Sequence, residues 1–116
     1  MRAQNAGDAK GCVTQWDADG VLMPPNEPRV RGSEALLSWY VAAFDEYGMD
    51  FEIFYEDIHV SGDWSFANGT YSGVLKSKRG GNAIQDSGKV LEIHRRQSDG
   101  SWRFAGRMWS SDRQTH

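Results

Sequence analysis

The sequence predicts an α+β fold, an antiparallel sheet combined with helices, and three observations carry that expectation. Two segments with helical spacing lie before Gly48, everything after it alternates with a period of two, and turn signals divide that second part into four strands. At 116 residues the chain is read as a single domain spanning residues 1–116, large enough to bury a core without a disulfide or metal staple.

The first helix is expected over Asp8 to Asp17, with Asp8 as N-cap and Ala9, Cys12, Val13 and Trp16 at three- and four-residue spacing. The apolar stretch Val21-Leu22-Met23 follows and runs into Pro24-Pro25, which cannot continue a regular element. Gly32 and Ser33 then open a long helix, with Ser33 as N-cap and Glu34 in its first turn. Its apolar face holds Leu36, Tyr40, Ala43, Phe44 and Tyr47, Leu37 and Trp39 widen that face, and Gly48 ends it.

Strands are expected at 50–60, 64–77, 84–96 and 102–109, separated by Ser61-Gly62-Asp63, Arg79-Gly80-Gly81-Asn82 and Ser98-Asp99-Gly100. A tight last turn over Gln97 to Gly100 pairs Glu92 with Ala105 and His94 with Arg103. One face of that hairpin then carries Leu91, Ile93, Trp102, Phe104 and Met108, and its hydrophobicity predicts burial. The other carries Val90, Glu92, His94, Arg103, Ala105, Arg107 and Trp109, which alternation leaves as either a solvated face or the wall of a polar pocket.

Charge and composition narrow the function classes. Residues 1–63 hold four Lys/Arg against twelve Asp/Glu, a net −8, whereas 64–116 hold nine against four, a net +5. The arginines of the second half are interleaved with strand-period apolar residues and form no basic run, so nucleic acid is not an expected partner. Instead the halves are expected to face each other, or a second copy, with opposite charge. No apolar run approaches the about 18 residues of a membrane span, and the polar start lacks a signal-peptide core, so no membrane association and a cytoplasmic location are expected. Cys12, the single cysteine, is expected as a small buried side chain. His59 and His116 have no second ligand at metal-binding spacing, so no metal is expected. The Gly80-Gly81 pair sits in a hairpin turn and opens no helix, so no nucleotide or other cofactor is implied.

The phrases AGDAKGCVTQWDADGVLMPPN, VRGSEAL, VSGDWSFANGTYSG, SGKVLEIHRRQSDGSWRF and RMWSSD, in this order and spacing, resemble the nuclear-transport-factor-2-like superfamily. Within it the chain is most similar to the SnoaL-like and ketosteroid-isomerase-like small proteins. The resemblance implies a cone-shaped sheet packed on helices, and it covers isomerases, cyclases, dehydratases, epoxide hydrolases and binding proteins, so fold alone does not set the activity. Such proteins usually begin with a long helix before the GDA segment. Here only Met1 to Gly7 precede it, which predicts a cone more open on that side and no match to the oxyanion-hole tyrosine of the isomerases.

Carried over residue by residue, the isomerase general base falls at Met23-Pro24-Pro25, where nothing can take a proton. The hydrogen-bonding aspartic acid falls on Glu92, and the pocket tryptophan and tyrosine fall on Trp109 and Tyr40. The resemblance also favours turning Glu92, His94, Arg107 and Trp109 into one cavity. Glu92 is then the candidate acid or base, and Arg107 the anchor of a carboxylate or enolate oxygen. The plainer alternatives are a structural Glu92–Arg107 ion pair, a solvent-facing His94 opposite Arg103, and Trp109 as core packing. Trp16, Trp39, Tyr40 and Phe44 are further candidates for the cavity wall, against a plain core role; Tyr40 needs a hydroxyl partner if buried.

Two classes follow. One is a domain that binds a small apolar or carbonyl-containing molecule in a mostly apolar pocket with a polar end. The other is a cofactor-independent isomerase, cyclase or lyase with Glu92 as acid or base. The direction of the Glu92 pKa separates them, since catalysis needs it raised and an ion pair lowers it. A homodimer through the outer sheet face is expected in either case, because the two helices leave that face uncovered and Trp64, Phe66 or Tyr71 would otherwise lie in water.

Overall fold

The computed structural model describes residues 1–113; His116 lies outside them. The elements run α1 (Arg2–Asn5), α2 (Ala9–Thr14), β1 (Trp16–Met23), β2 (Val30–Arg31), α3 (Ser33–Glu46), β3 (Tyr47–Ser61), β4 (Trp64–Ser77), β5 (Ile84–Arg96) and β6 (Trp102–Ser111). Among the described residues the strands form one six-stranded sheet in the order β2-β1-β6-β5-β4-β3. Strands β3 to β6 make the expected antiparallel meander, and β1 joins β6 in parallel. The sheet curves around the helices without closing, so β2 and β3 are its two edges.

Asp8 caps α2 as expected, its Oδ1 accepting from the Gly11 amide at 2.9 Å. A Cβ on Gly11 would sit 2.3 Å from the Asp8 carboxylate, so a side chain there would make the capping carboxylate shift. The helix stops at Thr14, short of the expected Asp17, because Trp16 and Asp17 gain more from the sheet. Phe104 donates its amide to the Gln15 carbonyl at 2.9 Å, and the Asp17 carboxylate accepts from the Asp19 amide and from Gln97 Nε2.

The long helix α3 is capped by Gly32 and not by Ser33. Gly32 has φ +89°, a conformation suited to glycine, and its carbonyl accepts from the Leu36 amide. Leu36, Tyr40 and Phe44 recur every fourth residue and are buried, while Ala43 and Tyr47 are half-buried. The helix ends one residue before the expected glycine stop. Tyr47 turns directly into extended backbone at φ −131°, so Gly48 is a strand residue.

The last hairpin departs from its predicted register. Its turn is one residue longer, with the Gln97 amide bonded to the Ser101 carbonyl, so Arg96 pairs with Trp102. A bulge then leaves Ala105 without a partner, and His94 faces Phe104 while Glu92 faces Arg107. Arg107 and Trp109 consequently share the concave face with Val90 and Glu92, and Phe104 swings inward against Trp16 at 5.5 Å between ring centres. The face expected to be buried is the convex one. Leu91, Ile93 and Met108 lie on it, each at least 40% exposed, and Trp102 at the hairpin end is equally exposed. Both faces carry apolar residues, so alternation found the two sets but could not orient them.

Two buried clusters fill the concavity. Cys12, Trp16, Leu22, Leu36, Tyr40 and Phe44 form one beneath α2 and α3, and Phe51, Tyr71 and Val90 form the other; Met49 and Trp109 pack against both. Cys12 is buried as expected, and burial pushes its thiol up to about 11. Tyr71, expected on the outer face, is buried inside against Phe51. The short α1 is tied to the sheet edge by Asn5. Its side-chain amide donates to the Phe51 carbonyl at 2.8 Å and accepts from the Phe51 amide at 2.9 Å. No helix among the described residues is long and apolar enough to cross a membrane.

Candidate functional site

Between α3 and the concave sheet face lies a cavity of about 360 Å³. Helical spacing brings Tyr40 and Phe44 to it from one side, and strand alternation brings Arg107 and Trp109 from the other. Leu22, Phe51 and Val90 complete its apolar wall. Trp109 meets Trp39 edge to face at 6.1 Å, and Trp39 donates its indole N–H to Glu27 at 3.1 Å.

One polar network underlies this wall. Glu92 is completely buried, yet its carboxylate accepts four hydrogen bonds. Tyr55 Oη reaches Oε1 at 2.8 Å and His94 Nε2 at 3.1 Å, while Arg107 reaches Oε2 through Nε at 3.1 Å and Nη2 at 2.8 Å. An ionised carboxylate only accepts, so His94 Nε2 carries a hydrogen toward Glu92, while Nδ1 lies in hydrogen-bond contact with Ser65 Oγ at 2.9 Å. The Arg107 guanidinium lies 4.2 Å from the centre of the Phe104 ring, a cation–π contact on its other side.

Burial alone raises the Glu92 pKa. The His94 hydrogen bond, the Arg107 charge and the hydrogen bonds from Tyr55 and Arg107 outweigh it, and the carboxyl is held below its ordinary value. The same pairing works oppositely on Tyr55, which burial and the adjacent Glu92 charge push up to about 12. Burial also raises Tyr40, against the nearby Arg107 charge and a hydrogen bond from Trp16.

Of the eight residues singled out from the sequence, Trp39, Tyr40, Phe44, Arg107 and Trp109 line the cavity. Glu92 and His94 belong to the network beside Arg107 and do not line it. His94 is not the solvent-facing residue opposite Arg103 of the plainer reading; the longer turn sets it across from Phe104, with its side chain 18% exposed. Trp16 is buried beneath the wall and reaches the site only through its Nε1, which donates to Tyr40 Oη at 3.2 Å. At the position matching the isomerase base, Pro24 is buried directly after β1.

Tyr55, Ser65, Tyr71 and Asp86 were missed. Tyr55 shares a strand face with Phe51 and Ile53, and the registers of β3 with β4 and of β4 with β5 carry it toward Glu92. That route needs two registers and the bulge between Tyr55 and Asp57, which local alternation does not supply. Among the described residues no three His, Cys, Asp or Glu side chains cluster as a metal site would require.

Solved structures share this architecture. A ketosteroid isomerase-like protein from Erwinia carotovora atroseptica aligns at 26% identity and a TM-score of 0.89, over 97% of this chain and 88% of that one. A nuclear transport factor 2-like superfamily protein from Salmonella enterica aligns at 13% identity and 0.87, over 100% and 85%. A Catenulispora acidiphila protein in complex with S-DNPA aligns at 19% identity and 0.76, over 97% and 84%. No curated protein matches the chain. The model of the SnoaL-like domain matches residues 1–107, and the chain therefore belongs to the SnoaL-like family within the nuclear-transport-factor-2-like fold.

Proposed function

We propose that the chain works as a single, cytoplasmic small-molecule-binding domain whose ligand is apolar and sets a carbonyl or carboxylate oxygen on Arg107. The observation that carries this reading is the state of that guanidinium. Glu92 engages Nε and Nη2, Tyr40 lies beside the group, and the guanidinium lines an otherwise largely apolar cavity. Tyr40, Phe44 and Trp109 then form the wall against the ligand body, with Trp16 and His94 holding Tyr40 and Glu92 in place. A protein of the same fold in complex with the small molecule S-DNPA supports the reading.

The competing reading, an isomerase, cyclase or lyase with Glu92 as acid or base, asks that carboxyl to hold a proton near neutral pH. Its four hydrogen bonds favour the ionised form, and Pro24 offers no second carboxylate, so the binding reading is preferred.

A homodimer through the convex sheet face belongs to the same proposal. Phe66, Ile93 and Gly106 are neighbours across three strands there, as are Asn68, Leu91 and Met108. With Trp64, the large side chains among them are each at least 40% exposed, an apolar patch that a twofold partner would cover.

Calorimetric titration with 4-biphenylcarboxylic acid and 4-acetylbiphenyl tests the ligand reading. Both should bind the wild type, and Arg107→Lys, which loses the planar two-donor fork, should weaken the acid about tenfold or more. Absence of binding by either compound, or equal affinity in the variant, would refute it.

A further inference from the structure

The end of the cavity away from Arg107 is polar in the opposite sense. On β5 the residues Glu92, Val90, Gly88 and Asp86 share the concave face, and Gly88 lies opposite Tyr71 of β4. A Cβ on Gly88 would stand 2.0 Å from the Ser110 carbonyl oxygen and 2.9 Å from Tyr71 Oη; the glycine that the ladder demands here also leaves room for the phenol to lie across β5 and donate to Asp86 Oδ2 at 3.2 Å. Ser111 Oγ holds the other oxygen, Oδ1, of the same carboxylate. Both Tyr71 and Asp86 line the cavity, Tyr71 buried and Asp86 half-buried.

Burial and the Asp86 charge push Tyr71 up to about 12, so the phenol keeps its proton, which the hydrogen bond directs to Asp86. What remains for a ligand is acceptor capacity, on Tyr71 Oη and on the Asp86 carboxylate. Arg107 presents only donors. Along β5, Glu92 beside Arg107 and Gly88 opposite Tyr71 are about 13 Å apart at about 3.3 Å per residue, and the wall between them is apolar. Among the described lining residues Arg107 is the sole Lys or Arg, whereas Glu27, Glu46 and Asp86 are carboxylates.

We propose that Tyr71 and Asp86 form a second recognition point, so that the ligand is an elongated apolar molecule with an oxygen acceptor at one end and a hydrogen-bond donor at the other. The inference rests on the ligand reading above, which supplies the Arg107 end. The donor is a hydroxyl or a protonated amine, and either satisfies the same two acceptors.

Three biphenyls separate the possibilities by calorimetry: 4-biphenylcarboxylic acid, its 4′-hydroxy derivative and its 4′-aminomethyl derivative. On the wild type at least one derivative should bind about fivefold or more tighter than the parent acid, the size of one added hydrogen bond. The derivative that gains identifies the donor as neutral or cationic. The ratio of derivative to parent affinity should fall to about one in Tyr71→Phe and in Asp86→Ala, whatever either substitution does to the parent acid alone. A parent acid that binds with no gain from either derivative, or a gain that survives both substitutions, overturns the second recognition point and leaves the ligand reading standing. Failure of all three compounds overturns both.

Discussion

Arg107 donates twice to a single oxygen of Glu92 from directly across the β5–β6 ladder, at 3.1 Å and 2.8 Å, and Glu92 is completely buried while Arg107 touches the cavity. Tyr55 and His94 hold the other carboxylate oxygen. The carboxylate thereby aims the guanidinium. A side chain that would otherwise sample several rotamers is fixed by two bonds and by the Phe104 ring.

Removing only the cation should therefore be costly. Arg107→Ala leaves a buried, ionised Glu92 and is expected to lose about 3–5 kcal/mol of stability in urea titration. The double substitution Glu92→Leu with Arg107→Met should recover much of that loss. A single substitution that costs less than about 1 kcal/mol would mean that water reaches the carboxylate.

The same pairing sets a pH dependence. Because the folded Glu92 pKa is lowered, the contribution of this carboxylate is present above its unfolded value of 4.5 and fades as pH falls through the folded value. The stability lead of wild type over Glu92→Gln should be full at pH 7 and shrink only below about 4.5. Thermal melts from pH 7 to pH 3 check this; a lead that grows on acidification would reverse the assigned direction.

Filling the cavity should abolish binding without touching the ion pair. Ala43 lines the cavity from α3 and is half-buried, so Ala43→Phe projects a ring into the space. It should eliminate the heat of binding of 4-biphenylcarboxylic acid and change stability by less than about 2 kcal/mol, within the usual cost of overpacking at a site with room. Retained binding would move the ligand elsewhere.

The convex patch makes a prediction about mass. Ile93→Arg places a charge at the centre of Phe66, Leu91 and Gly106 without disturbing the concave face. Light scattering at micromolar concentration should report twice the chain mass for the wild type and a monomer for the variant. A monomeric wild type would remove the dimer from the proposal.

How much of this was legible in the sequence depended on the range of the interaction. The bounds of β4 and β5 followed from turn residues and alternation, which are local. The end of α2 at Thr14 did not, because Trp16 is pulled into a parallel pairing with Phe104, 88 positions away in the chain. Pairing Glu92 with Arg107 needed the bulge at Ala105, and a bulge inserts a residue without any compositional mark. Family resemblance oriented the hairpin correctly where hydrophobicity misled, since the convex face is the more apolar to read and the more exposed in the fold. Tyr71 and Asp86 stayed hidden for a related reason. Nothing local distinguishes an inward tyrosine from an outward one, and the glycine opposite it acquires meaning only once the strands are in register.

The two bonds between Asn5 and the Phe51 backbone bear on a hazard that the rest of the fold leaves open. As an edge strand of 15 residues, β3 offers unpaired amides and carbonyls to any passing chain, and Phe54, Ile58 and Val60 on it are exposed. The Asn5 amide presents a donor and an acceptor to Phe51 just as a neighbouring strand would, and so occupies that rung of the ladder with a side chain. Farther along, Glu56 and Asp57 interrupt the edge with charge beside a bulge. A single asparagine in a one-turn helix thus serves as a plug against strand-by-strand aggregation, at the place where the most buried part of β3 would otherwise be open to it.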